Sequence, residues 1–150
     1  MVPTSVYEVQ SRYFSDRLTE MGKRRGANVI RLEKPRGATV TDDEPAEFIH
    51  RAKPKVVGFA HAERSIGALQ SGRAICAAAH DAGALVIADC VTSLGGIPVH
   101  FEQTGLDVAY SCTQKGLRCP PGLSPIAISR RAIGLAVRSD LSSAQLVFRS

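Results

Sequence analysis

Aromatic residues are scarce in this 150-residue chain, 5% of the total, and tryptophan is absent. That scarcity argues against stacked-base recognition of nucleic acid, which interleaves aromatic rings with basic side chains. The net charge of +5 does not rescue such a reading. Its densest basic run, Gly22-Lys23-Arg24-Arg25-Gly26, reads as a helix end, where cations meet the negative pole of the dipole. A solvated face or an anionic small ligand accounts for the charge better. Cysteines number four, at positions 76, 90, 112 and 119. They form no C-x-x-C pair and sit at no zinc-like spacing to histidine, so no metal is expected. Cys76 and Cys90 fall in apolar runs, as buried free thiols of a reducing compartment do. Apolar runs stay well short of the roughly 20 residues needed to span a bilayer. The opening "MVPTSVYEVQSR" lacks the apolar core of a signal peptide. A soluble, cytoplasmic protein is expected, with neither nucleic acid nor membrane as partner. A Gly-rich phosphate turn between strand and helix is also missing: "ERSIGALQSG" and "SLGG" do not supply it, which argues against a nucleotide- or flavin-binding module.

What is present is an ordinary globular composition, 44% hydrophobic and 22% charged, at the length of one domain. Helix-like and strand-like segments alternate. "SRYFSDRLTEMGKRRG" sets Phe14, Leu18 and Met21 on one helical face and stops at Gly26. "NVIRLE" reads as a strand. "DDEPAEFIHRAKP" reads as a helix with an acidic start, closed by Pro54. "ALQSGRAICAAAHDAG" is an alanine-rich helix that ends at Gly83, and the last twenty or so residues begin helix-like before their periodicity fades. "KVVGFAH", "ALVIAD", "LDVAYSCT" and "SPIAIS" are apolar strands. Strands apolar on both faces and separated by helices imply an α/β fold, a mostly parallel sheet with helices on both faces.

Such a sheet gathers ligands beyond the carboxyl ends of its strands. Those ends carry His61, Asp89 and the run Ser111 to Lys115, so neighbouring strands deliver an imidazole, a carboxylate and an amine to one rim. Singly, each has a plain structural reading: Asp89 as a turn or capping residue, Lys115 as a strand-end lysine. Jointly, a lysine and an acid on one rim suit an imine-forming cofactor. Pyridoxal phosphate needs an amine for its aldehyde and a carboxylate opposite its ring nitrogen. The turn Pro120-Pro121-Gly122 favours a fixed lysine loop.

The blocks "HAERSIGALQ", "ADCVTSLGGIPV" and "GLDVAYSCTQKGLRCPPGLSPIAIS" resemble the class V aminotransferases, of the fold-type I pyridoxal phosphate enzymes, in their alanine–glyoxylate / serine–pyruvate (serine–glyoxylate) branch. The resemblance implies that residues 1–150 form the central part of a large, cofactor-binding domain, without the preceding phosphate-loop segment or the small domain that follows. It implies transfer of an amino group from alanine or serine to glyoxylate or another 2-oxo acid. By the same resemblance Lys115 forms the cofactor aldimine and shuttles the proton, Asp89 faces the ring nitrogen and Gln114 helps hold the phosphate. Ser93 and His61 lie in matching loops, and Gly95 and Gly96 shape one of them. The family pattern has small hydroxylated residues where this chain reads Glu63-Arg64-Ser65-Ile66-Gly67. Arg64 then either turns to solvent, leaving Ser65 to supply the hydroxyl, or crowds the pocket. Family members are dimers with shared active sites, so a homodimer or a complementing chain is the implied partner. The alternative is a non-catalytic truncated fragment, or one part of a split aminotransferase.

Overall fold

A computed structural model describes residues 5–9, 19–32, 34–35, 38–65 and 67–138. Its centre is a six-stranded sheet in the order β2-β1-β3-β6-β7-β8. The strands are β1 (Ser5–Val9), β2 (Asn28–Leu32), β3 (Val56–Ala60), β6 (Leu85–Asp89), β7 (Val108–Tyr110) and β8 (Ile126–Ile128). Two short strands, β4 (Ala62–Glu63) and β5 (Ala68–Leu69), form a separate antiparallel hairpin. Helices are α1, described over 19–24, α2 (Glu44–Ala52), α3 (Arg73–Asp81), α4 (Phe101–Thr104) and α5 (Arg130–Arg138).

Apolar runs dictate the sheet. Val57 and Phe59 of β3 and Val86 and Ala88 of β6 are almost wholly enclosed, packed with Ile49 of α2 and with Ile75 and Ala79 of α3. The acidic start of α2 and the reversal at Lys53 before Pro54 follow the expected signals, the Lys53 amide donating to Ile49 O at 2.8 Å. The first helix stops at Gly26 in the left-handed region, φ +76°, as expected. Phe14 and Leu18 lie outside the described residues, and Met21, assigned to the same helical face, is 52% exposed. The fading C-terminal stretch also lies outside them beyond residue 138.

Three features depart from the sequence reading. The alanine-rich helix is expected from Ala68, yet Ala68–Leu69 form β5 and α3 starts only at Arg73. No strand is expected ahead of the first helix, yet β1 pairs in parallel with both β2 and β3. The segment "SPIAIS" is expected as one more two-sided buried strand, yet β8 runs antiparallel to β7 as an exposed edge. The reason is the connection: a parallel crossover needs a helix or a comparably long return, and residues 111–125 hold only turns and bends. Leu123, Ile126 and Ile128 consequently stand 71%, 46% and 39% exposed. Cys76 and Cys90 are buried and free, as expected, and burial pushes the Cys76 thiol up to about 12, with Asp107 adding to it. Among the described residues no helix is long and apolar enough to cross a membrane.

Candidate active site

Parallel registry of β3, β6 and β7 brings their carboxyl ends to one level. Ala60 pairs with Asp89, and Asp89 with Tyr110. Backbone bonds lace the rim just beyond: the His61 amide donates to Asp89 O and the Cys90 amide to Tyr110 O, each at 2.9 Å. Asp89 thus sits half-buried between His61 and Tyr110. Its carboxylate is fixed from two sides. The Val91 amide donates to Oδ1 at 2.9 Å and the Tyr110 hydroxyl to Oδ2 at 2.8 Å.

Lys115 rides a tight turn that is anchored on both flanks. The Ser111 and Thr113 amides donate to Pro125 O and Leu123 O, at 2.9 and 3.2 Å. The Thr113 hydroxyl donates to Pro120 O at 2.6 Å, and the Arg118 amide to Lys115 O at 2.9 Å. Arg118 adopts φ +54°, the left-handed conformation that costs a non-glycine residue about 1–2 kcal/mol. Such strain persists only where the surroundings over-determine the backbone. The Lys115 turn is also interlocked with the loop that follows Asp89. A Cβ on Gly116 would lie 2.3 Å from Leu94 O, and one on Gly95 2.7 Å from the Gly116 carbonyl. Only two glycines allow this approach, with Gly95 at φ +88°. The half-buried Lys115 amine has no ion-pair partner among the described residues.

The remaining predicted residues are placed less uniformly. His61 is half-buried, its Nδ1 enclosed without a hydrogen-bond partner among the described residues, and burial pushes the imidazole below its ordinary value. Ser93 is 1% exposed; its hydroxyl faces the Cys90 thiol with no well-formed hydrogen bond. Gln114 is exposed beside Lys115. Ser65 is exposed, and both its amide and its hydroxyl donate to Glu63 Oε1, at 2.9 and 2.8 Å. Glu63 itself is 2% exposed, and its Oε2 is enclosed without a partner among the described residues. Arg64 projects into solvent, and Ile66 lies outside the described residues. Sequence reasoning does not single out Tyr110 or Glu63 as site residues. The apolar run "LDVAYSCT" marks Tyr110 as a strand residue only, and its contact with Asp89 depends on cross-strand register.

The family model for class V aminotransferases matches residues 5–145. This chain belongs to the class V aminotransferases. It is 38% identical over 119 residues to the alanine–glyoxylate aminotransferase of Oryctolagus cuniculus, covering 79% of this chain and 30% of that one. The solved alanine–glyoxylate aminotransferase from Nostoc sp. superposes with a TM-score of 0.87 at 38% identity, over 93% of this chain and 37% of that one. The ureidoglycine–glyoxylate aminotransferase of Bacillus subtilis gives 0.88 at 32% identity, over 96% and 38%. This class V chain therefore spans about a third of the length of these relatives, and its sheet is part of the fold-type I large domain.

Proposed function

We propose that this class V chain serves amino-group transfer between an amino acid and a 2-oxo acid, with alanine or serine as donor and glyoxylate as an acceptor. One observation supports the reading: the turn that carries Lys115 and the loop that follows Asp89 are interlocked at Gly116 and Gly95. The residues fit pyridoxal phosphate. Asp89 keeps acceptor capacity on both oxygens, since a carboxylate takes about four hydrogen bonds and the Val91 amide and Tyr110 hydroxyl occupy one site on each. Lys115 offers an amine with no ion pair among the described residues, and Gln114 lies beside it for the phosphate. When bound, that cofactor supplies an electron sink for the substrate's α-carbon. Asp89 holds a proton at the ring nitrogen, and Lys115 carries the reacting amine and moves the α-proton. His61 and Ser65, in the segment after β3, and Ser93, in the loop after β6, are the further cofactor-binding candidates of this reading. In this reading residues 1–150 are the central part of the large domain, and the free thiols suit a reducing compartment such as the cytoplasm.

The test is a visible absorption spectrum of the chain with pyridoxal phosphate, before and after borohydride, with Lys115→Ala alongside. A band that reduction fixes onto Lys115, located by mass spectrometry and lost in the variant, is expected. Labelling that ignores position 115 would overturn the assignment. The exposed Leu123, Ile126 and Ile128 on and beside β8 favour a second reading, in which the chain works only as one part of a larger aminotransferase assembly. Sedimentation separates the two: a monomer that forms the adduct alone speaks against the second reading.

A further inference from the structure

We infer that Tyr110 is a positioning residue for this site, holding the Asp89 carboxylate in the orientation that meets a protonated ring nitrogen. The inference rests on the cofactor reading above and adds to it a residue that cross-strand register alone reveals. Asp89 and Tyr110 are directly paired residues of adjacent parallel strands, so both side chains leave the sheet on the same face. The 2.8 Å bond from the Tyr110 hydroxyl ends on Oδ2, while the Val91 amide holds Oδ1. With only the amide in place, the carboxylate could turn about its terminal torsion, which is broad for aspartate. The phenol removes that freedom. The half-buried Tyr110 borders an apolar cavity of about 220 Å³ together with Cys90, Leu94, Phe101 and Ile126. The phenol and the Val91 amide together fix the carboxylate, which is left to face the cofactor ring.

Tyr110→Phe keeps the aromatic ring and deletes the hydroxyl donor. A hydrogen bond to a charged group contributes enough that its loss weakens binding by about tenfold or more. The variant is expected to bind pyridoxal phosphate about tenfold more weakly. It is expected to bind an analogue with carbon in place of the ring nitrogen as tightly as the parent chain does, because that analogue makes no demand on Asp89. In the cofactor-free chain, the Asp89 carboxyl ¹³C resonance is expected to move on Tyr110→Phe. Equal affinity of parent and variant for pyridoxal phosphate overturns the inference. So does equal weakening toward both ligands, which would make Tyr110 a structural residue only, and so does an unmoved ¹³C resonance. Failure of the cofactor reading has a different signature: Lys115→Ala then leaves labelling unchanged, whatever residue 110 is.

Discussion

Replacing Gly116 with alanine is expected to abolish the Lys115-dependent adduct and to lower stability by about 3 kcal/mol, the upper end of the range for overpacking a closed contact. The added methyl carbon would start 2.3 Å from Leu94 O and 3.2 Å from the Gly96 nitrogen. Both obstacles are backbone atoms, which cannot rotate aside as a flexible side chain does. The Lys115 turn and the Asp89 loop must then separate by roughly an ångström, and a misplacement of that size costs on the order of a hundredfold in reactions that depend on alignment. Gly134→Ala in α5 is the control. No atom of the described residues lies within 4 Å of its new Cβ, and alanine is the better helix former by about 1 kcal/mol. Urea melts and the borohydride-fixed spectrum check both variants. A Gly116→Ala chain that keeps its adduct and its midpoint would show that the two loops are not interlocked in solution.

The contrast between the two glycines also shows what the sequence could and could not disclose. The sheet was legible because "KVVGFAH", "ALVIAD" and "LDVAYSCT" are apolar on both faces, which a covered parallel strand requires. Their ends gave the rim, and with it His61, Asp89 and Lys115. The interlock of Gly95 with Gly116 was not legible, because it is set by the separation of two loops rather than by any local pattern. Tyr110 was hidden for a related reason: its partner follows from the register of β6 against β7, which no spacing rule supplies. Edge strand β8 reads wrongly because "SPIAIS" carries the composition of a buried strand. Only the short helix-free return from β7 makes it antiparallel. The turn at Glu63, Arg64 and Ser65 stands out in the sequence as a departure from the family pattern. Its structure is a local bracket of Ser65 on Glu63, which leaves Arg64 to the solvent.

A second aspartate sits at the opposite end of the same two strands, and its removal is expected to cost stability rather than chemistry. Asp107 is 1% exposed at the start of β7, three residues and so about 10 Å along the strand from the level of Asp89 and Tyr110. Its Oδ2 accepts from the Val86 amide at 3.0 Å and from Arg131 at 2.6 Å, and lies 3.0 Å from His80 Nε2. Its Oδ1 accepts from the Ser129 hydroxyl at 3.0 Å. Arg131 also reaches Ala84 O at 2.9 Å, so one buried carboxylate ties β6, β7, α3 and α5 together. Asp107→Asn places amide hydrogens against groups that already donate, and leaves Arg131 without its anion. Breaking one partner out of a buried ion pair typically costs about 3–5 kcal/mol, and that loss is expected in urea melts at pH 7. The pH dependence follows from the direction of the shift. Burial alone would push the Asp107 carboxyl up, but the Val86 amide, His80, Arg131 and Ser129 outweigh it and hold it below its ordinary value. A depressed carboxylate stabilises the fold fully above its unfolded pKa, about 3.9, and loses that contribution as pH falls through the lower folded value. The gap between parent and Asp107→Asn should therefore be widest near neutrality and close progressively below about pH 4. A gap that stays constant down to the acid limit would mean that the carboxylate's charge contributes nothing to the fold. Under conditions where the variant is folded, its Lys115 adduct should form as in the parent, since the two aspartates occupy opposite ends of the sheet.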